Sequence, residues 1–321
     1  GYLDSAGKMA IRAEFDEAYG FTQGLARVRK GKGWGFADLQ GRMVIGPGFG
    51  DVSEFSEGLA GVEIDGLWGF IDRKGRQIIK PRFIDAADFS QGLAPVRTGR
   101  RWGYIDRSGA LVVPARFHGA SRFSEGLAPV RLGAKWGFID RRGRMAVAPE
   151  FDAAGRFAQG LAPVSREGKW GWIDRSGKMV IPPRFDHVSG FSQGLAPVLS
   201  GEKWGYVSRT GEIAIPARFD EAYGFSEGLA FVQLAGKWGC VDREGKMVIL
   251  PQFNAADDFS QKMAAVGKGR WWIFIDQAGR PVFSGFFSEA LAFSQKMAAV
   301  KTRDKVGYMD KFGRFVWPPQ D

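Results

Sequence analysis

Few residues of this 321-residue chain could act as a nucleophile, a metal ligand or an acid–base pair. The only two histidines, His118 and His187, have no cysteine or second histidine at metal-ligand spacing. Cys240, the single cysteine, stands where other segments carry an aromatic residue, which predicts a buried apolar role rather than a thiolate nucleophile. We therefore expect no catalytic residue, no metal and no cofactor, and a protein that is not an enzyme.

A recurrent aspartate is the next candidate for chemistry. It follows a recurrent tryptophan by four positions, at Asp4, Asp38, Asp72, Asp106, Asp140, Asp174, Asp242, Asp276 and Asp310, with Ser208 as the exception. Paired carboxylates can perform acid–base catalysis, but no two of these acids differ from the others. Asp followed three places later by Gly is typical of a type I turn, so we predict a turn-forming role. A glycan hydrolase is consequently the weakest hypothesis.

Two rows of basic residues accompany this turn, and we call them together the basic hairpin edge. The first row follows the aspartate position: Arg73, Arg107, Arg141, Arg175, Arg209 and Arg243. The second follows the turn glycine: Arg42, Arg76, Arg144, Lys178, Lys246 and Arg280. With a formal net charge of +10, the chain favours anionic partners, although solvated turns that guard against edge pairing would look the same. Our binding candidates here are Arg73, Arg107, Arg141, Arg175 and Arg243.

These residues belong to a repeat of 34 residues. Its tryptophans are Trp34, Trp68, Trp102, Trp136, Trp170, Trp204, Trp238 and Trp272, and Val306 takes the next place. Residues 1–321 therefore form a single array of about nine and a half units, with the first and last units incomplete and no insertion between them. We expect the tryptophans from Trp34 to Trp238 to form part of the repeated core.

The repeat predicts an all-β fold. Glycine and proline recur too often for a pair of packed helices, since each costs about 1 or 3 kcal/mol inside a helix. Residues 127–131, 136–140 and 145–147 have strand patterns, and they predict a three-stranded antiparallel meander. Asp152 could then cap a short helical turn. Stacked units predict a curved solenoid, with a closed propeller-like ring as the alternative.

The motif Lys-Trp-Gly-Phe-Ile-Asp, with Val-Ile-x-Pro-x-Phe-Asp and Phe-Ser-Glu-Gly-Leu-Ala, resembles the bacterial WG-repeat family over essentially the whole chain. The resemblance implies a binding or accessory role, in some members suspected to be toxin neutralisation, and it supplies no catalytic motif. The sequence departs from the pattern at Ser208, Lys262–Met263, Ile273, Lys296–Met297 and Val306.

The favoured function is a non-catalytic scaffold that binds a partner protein, as an immunity, inhibitor or accessory protein would. The alternative is electrostatic binding of an anionic polymer or a membrane or envelope surface through the basic hairpin edge. We do not expect nucleic acid, because the aromatic residues occupy periodic core positions. Near the end of the chain, Trp271 and Phe286 belong either to a cap or to an apolar binding patch.

No apolar run approaches the roughly 18 residues of a membrane span, so we expect no transmembrane segment. The chain begins at Gly1 without methionine, so a signal peptide or further repeats would not be visible in it, and the sequence indicates no compartment.

Overall fold

The computed structural model describes residues 2–3, 9–11, 15–38, 42–283, 285, 287–290, 297–302, 305–310 and 315–317. Every regular element in these ranges is a β-strand, which confirms the all-β prediction. Within the same ranges, no helix is long and apolar enough to cross a membrane.

The strands of the first half are β1 (Tyr2–Leu3), β2 (Met9–Ile11), β3 (Glu17–Thr22), β4 (Leu25–Lys30), β5 (Gly33–Asp38), β6 (Met43–Phe49), β7 (Asp51–Val52), β8 (Leu59–Ile64), β9 (Leu67–Asp72), β10 (Gln77–Phe83), β11 (Asp85–Ala86), β12 (Leu93–Thr98), β13 (Arg101–Asp106), β14 (Leu111–Phe117), β15 (Gly119–Ala120), β16 (Leu127–Leu132), β17 (Lys135–Asp140) and β18 (Met145–Phe151).

The remaining strands are β19 (Ala153–Ala154), β20 (Leu161–Arg166), β21 (Lys169–Asp174), β22 (Met179–Phe185), β23 (His187–Val188), β24 (Leu195–Ser200), β25 (Lys203–Ser208), β26 (Ile213–Phe219), β27 (Glu221–Ala222), β28 (Ala230–Leu234), β29 (Lys237–Val241), β30 (Met247–Phe253), β31 (Ala255–Ala256), β32 (Met263–Lys268), β33 (Trp271–Asp276), β34 (Glu289–Ala290), β35 (Met297–Thr302), β36 (Lys305–Asp310) and β37 (Phe315–Trp317).

Each complete repeat is a four-stranded antiparallel meander rather than the predicted three-stranded one. In the sheet β15-β16-β17-β18, the added strand is the two-residue β15, which pairs with β16. The same order recurs from β3 to β30, and β31-β32-β33 is a three-stranded sheet. The predicted strands over 127–131, 136–140 and 145–147 correspond to β16, β17 and β18, so the meander itself is confirmed.

The helical turn predicted at Asp152 is wrong, because the next two residues form β19 instead. The Asp152 backbone N–H donates to the Ser165 carbonyl oxygen (2.9 Å), which begins the pairing of β19 with β20. Its carboxylate accepts a hydrogen bond from the Glu167 N–H (2.7 Å) and pairs with Lys135. Both groups of Asp152 are therefore used across strands, and none is left to cap a helix.

The core lies between successive sheets. Phe138 and Phe151 from one sheet pack with Phe157 and with Val164 and Ile173 of the next sheet. Because side chains alternate along a strand, the residues two and three places after the tryptophan face opposite neighbouring sheets. A single sheet thus contributes to two cores, and stacking is what buries the aromatic residues.

The glycine after each tryptophan is required by a close backbone approach. At Gly137, a Cβ atom would lie 2.5 Å from the Val147 carbonyl oxygen, because β18 bulges toward β17 there. Equivalent glycines meet the last strand of their own sheets at similarly short distances. In β33, Ile273 replaces this glycine, and that sheet has three strands.

Side chains also connect each repeat to the next with a constant register. The Gly126 N–H donates to the Gln91 side-chain oxygen (2.8 Å), and the Ser124 hydroxyl donates to the Phe157 carbonyl oxygen (2.6 Å). Gln91 itself has a φ of 56°. In each of these two-residue turns, the glutamine or glutamate and the glycine that follows it both have the left-handed backbone conformation. The recurrent Gln or Glu thus bonds the turn of the following repeat.

By internal contacts the chain divides into two compact units. Unit 1 comprises Gly1–Tyr2, Ala10–Gly168 and Trp172–Met179, and unit 2 comprises Leu3–Met9, Lys169–Gly171 and Val180–Asp321. Both units are built from the same meander and the same ladder of side-chain bonds: in unit 2 the Gly228 N–H donates to Gln193 (3.0 Å).

Candidate protein-binding face

The repeat aspartate holds the turn between the last two strands of each meander. Oδ1 of Asp72 accepts hydrogen bonds from the Lys74 and Arg76 N–H groups, both at 2.9 Å. Desolvation opposes ionisation, but these bonds and the adjacent guanidinium of Arg76 hold the pKa of Asp72 below its usual value. At Asp174 the Ser176 hydroxyl is the main cause of the lowered pKa. The geometry is that of a turn-forming residue.

The second basic row is largely neutralised by this aspartate. Nε of Arg76 lies 2.7 Å from Oδ2 of Asp72, and Arg144 makes the same ion pair with Asp140. Arg42 with Asp38 and Arg280 with Asp276 repeat the arrangement. These arginines therefore hold the turn and add little net charge to the surface.

The first basic row is arranged differently. Five of its guanidinium groups lie over the glycine of a two-residue turn 49 positions earlier. Nη2 of Arg141 is 3.2 Å from where a Cβ of Gly92 would be, and Nη2 of Arg175 is 3.1 Å from that point at Gly126. Arg73, Arg107 and Arg243 lie in the same way over Gly24, Gly58 and Gly194. Among described residues, none of these five guanidinium groups forms an ion pair. All five are exposed.

Net charge is not equal along this row. Residues 72–76 contain one carboxylate and three cations, a net charge of +2, and residues 140–144 have the same balance. Residues 174–178 carry +1, whereas 106–110 carry zero. In unit 2, residues 242–246 are neutral because Asp242 and Glu244 balance Arg243 and Lys246, and 208–212 and 276–280 are also neutral. Among the turns that the structure describes in full, those with excess positive charge belong to unit 1.

Exposed apolar side chains follow the same turns. In the fourth strand of a meander, a bulge directs two consecutive residues outward before the next one enters the core. Leu111 and Val112 are 47% and 42% exposed, Ile78 is 43% and Met145 is 36% exposed. Val44, Ile213 and Val248 continue the series in other fourth strands, and Val282 is exposed at the equivalent position outside a strand. We call these residues the apolar strand pairs.

The sequence interpretation missed the apolar strand pairs. Residues nine and ten places after each tryptophan are Met43–Val44, Leu111–Val112, Met179–Val180 and Met247–Val248, among others. The available signal was that two adjacent apolar residues on a strand point to opposite faces, so both can be buried only if both faces are covered. The bulge, which no residue pattern predicts, leaves both residues exposed at Leu111–Val112, whereas Met179 and Met247 pack against the edge of a core cluster.

A shallow groove lies beside the first positively charged turn. Its volume is about 480 Å³, and it is lined by Leu25, Gly58, Asp72, Arg73 and Lys74. It therefore combines an aliphatic side chain, two cations and one carboxylate that is already committed to its turn.

The remaining candidates do not form a reactive site. Cys240 is fully buried, and burial raises the pKa of its thiol. His118 accepts a hydrogen bond at Nδ1 from the Gly133 N–H (3.0 Å), and exposed His187 lies beside the rings of Trp170 and Trp204. No cluster of three or more potential metal ligands occurs in the part of the chain that the structure describes.

The predicted core tryptophans lie at the margin of the core. Trp34, Trp68, Trp102, Trp136, Trp170 and Trp204 are half-buried, and Trp238 is buried. The residues two and three places further on, such as Phe138 and Ile139, are fully buried instead. A tryptophan pairs with the last residue of the fourth strand, as Trp136 does with Phe151, which places the indole near the strand end.

Of the two C-terminal candidates, Trp271 is half-buried beneath the Arg270 guanidinium, whose Cζ lies 4.8 Å from a ring centroid. Phe286 lies outside the described residues. Nearby Phe287 is buried with Phe274, so this aromatic residue belongs to a core cluster rather than to a surface patch.

The fold is that of a tandem-repeat β protein in which each repeat is one antiparallel meander with the same hairpin turn between its last two strands. Its repeats match the WG containing repeat family at residues 1–34, 34–68, 68–101, 102–136, 136–170, 170–204, 204–238 and 238–270. The chain belongs to this family. The match ends at residue 270, just before the segment in which Ile273 and later residues depart from the pattern.

Solved structures show similarity in fold. One described as a eukaryotic initiation factor has a TM-score of 0.61 and 13% identity, over 90% of this chain and 93% of that chain. Kluyveromyces lactis Hsv2p has a TM-score of 0.41 and 10% identity, over 78% of this chain and 89% of that chain. At such identities the first similarity concerns the fold alone, and the second supports no argument. No curated protein matches the chain.

Proposed function

We propose that this chain is a non-catalytic scaffold that binds a partner protein and acts as an inhibitor, immunity or accessory protein. The apolar strand pairs carry the proposal. Isolated exposed apolar residues are ordinary on protein surfaces, but these recur at one place in successive repeats, next to the basic hairpin edge. Apolar contacts surrounded by charged groups are characteristic of protein-binding surfaces.

Affinity capture from a lysate of the source cells tests the proposal. The baits are the wild-type chain, a variant with Leu111→Ser, Val112→Ser and Met145→Ser, and a control with Gln77→Ser and Lys80→Ser. The control changes exposed polar residues of an equivalent strand. We expect one protein to be captured by the wild type and the control and to fall at least about tenfold with the apolar variant. No protein above background, or equal capture by all three baits, contradicts the proposal.

A second candidate is electrostatic binding of an anionic polymer or surface. The observation that favours it is the net charge of the turns at 72–76, 140–144 and 174–178. Such binding must weaken steeply with salt and must be indifferent to the apolar strand pairs. Titration of inorganic polyphosphate and of anionic vesicles at low and high ionic strength distinguishes it from the first candidate.

A further inference from the structure

We propose that the face of unit 1 formed by the first basic row and the apolar strand pairs binds an acidic protein segment with aliphatic side chains. This inference rests on the proposed function and names the class of partner. It is specific to the stretch from Arg73 to Arg175, in which three of the four turns carry excess positive charge.

The arginine positions supply the first argument. Arg73, Arg141 and Arg175 belong to turns with a net positive charge, and each guanidinium lies over the glycine of an earlier turn. An exposed guanidinium without an ion-pair partner can donate two parallel hydrogen bonds to the two oxygens of a carboxylate. In contrast, Arg76 and Arg144 already hold Asp72 and Asp140. The free cationic sites are thus separate and repeated, as side chains of one extended acidic segment would require.

The apolar side chains supply the second argument. Ile78 comes five residues after Arg73, and Leu111 and Val112 follow Arg107 by four and five residues. All three are more than two-fifths exposed. A purely electrostatic ligand would gain nothing from them, whereas a segment with aliphatic side chains would bury them at about 25 cal/mol per Å² of apolar area.

The groove at the first charged turn shows both chemistries at one place. Leu25 is a buried aliphatic residue there, and Arg73 and Lys74 line the same groove. Asp72 is occupied by its own turn and does not neutralise Arg73. A ligand segment with an aliphatic side chain next to a carboxylate fits both parts of this lining. A uniformly charged polymer would contact the cations but would leave the aliphatic part without a partner.

Fluorescence anisotropy with defined probes tests the inference. The probe is a labelled synthetic peptide of alternating glutamate and leucine, about 12 residues long, which is compared with glutamate–serine and lysine–leucine peptides and with inorganic polyphosphate. The variants are Arg73→Glu with Arg141→Glu and Arg175→Glu, and Ile78→Ser with Val112→Ser. The matched control is Arg243→Glu, which changes the same position in a neutral turn of unit 2.

We expect the glutamate–leucine peptide to bind most tightly. The triple charge reversal should weaken binding at least about thirtyfold, the apolar variant about tenfold, and the control less than about twofold. The inference is overturned if that peptide does not bind, if the triple variant binds it as the wild type does, or if polyphosphate binds as well and ignores the apolar variant. If, in the affinity capture from lysate, the triple charge reversal still retains a protein that the variant with Ile78→Ser and Val112→Ser loses, the scaffold function stands and the acidic class of partner is wrong.

Discussion

Phe231 and Cys240 exchange the places that a bulky and a small residue occupy in other repeats. In several other repeats a proline faces an aromatic residue across the second and third strands, as Pro129 faces Phe138. Here Phe231 faces Cys240, and both are at most 1% exposed. The ring of Phe231 lies 5.2 Å from that of Phe259, close to the 5.0 Å between Phe138 and Phe157. The same core volume is filled from the opposite strand.

Replacing only one of these two residues by the residue found in other repeats should lower the unfolding free energy. Phe231→Pro removes a buried ring, which costs about 3 kcal/mol or more, and Cys240→Phe adds a ring to filled space, which costs about 1–3 kcal/mol. The double variant recreates the Pro129–Phe138 arrangement, so we expect it to remain within about 1.5 kcal/mol of the wild type. The coupling between the two sites should therefore reach about 3 kcal/mol.

Hydrogen exchange of the backbone over residues 228–241 measures the coupling locally, which suits a repeat array because such arrays can open in parts. Phe231→Pro should raise exchange rates about 150-fold, whereas the double variant should stay within about tenfold of the wild type. If the two single effects multiply in the double variant, the rings do not share one site and the interpretation of this core is refuted. The reverse pair, Pro129→Phe with Phe138→Cys, provides a second cycle in unit 1.

Three further predictions concern the turns and the sheet. Gly137→Ala places a Cβ against the Val147 carbonyl and should lower the unfolding free energy by about 3 kcal/mol. Gly48→Ala meets open space and should change the unfolding free energy by less than about 0.5 kcal/mol. Thermal unfolding of both variants measures the order of the two effects. Desolvation and the charges of Arg101 and Arg131 lower the pKa of His118, so neutral His118 is fully compatible with the fold above about pH 6.5, and stability is lost as pH falls through the folded pKa of this imidazole. His118→Asp should abolish this pH dependence and raise the melting temperature, and Asp152→His should introduce the same dependence. A melting profile against pH that is unchanged in both variants would contradict the assignment. The lowered pKa values of Asp72 and Asp140 stabilise the fold above about pH 4, and this part is lost as pH falls through their folded values; Asp140→Asn should therefore lower the melting temperature at pH 7 and have a smaller effect at pH 2.

The period of the sequence was enough to predict most of the meander. The strands, the turns and the roles of Asp140 and Gly143 follow from residue types that recur at fixed positions. This is possible because the conformation of a turn depends on residues that are adjacent in the sequence. The position of Trp136 at the core margin could not be predicted in the same way. It depends on which strand the indole meets, and that register is set by the bulge in β18.

The candidate site remains a prediction, and only its geometry can be compared with the sequence. The arginines after the aspartate are exposed, but residue spacing alone does not distinguish one of them from another. Ion pairing of Arg76 and Arg144 depends on how the hairpin turn orients its own aspartate, and the exposure of the apolar strand pairs depends on the bulge. Only the approach of Arg141 and Arg175 to earlier glycines requires the stacking of repeats.

The ladder of bonds between repeats bears on how such a chain can grow. Each ladder bond joins residues separated by a fixed interval, as Gln91 joins Gly126 and Ser124 joins Phe157. Duplication or loss of 34 residues restores every donor to an acceptor, whereas a gain or loss of one residue misaligns an entire row. Recombination between equivalent positions would thus yield a foldable product, and the length of this protein can change in whole repeats during descent without redesign of its core.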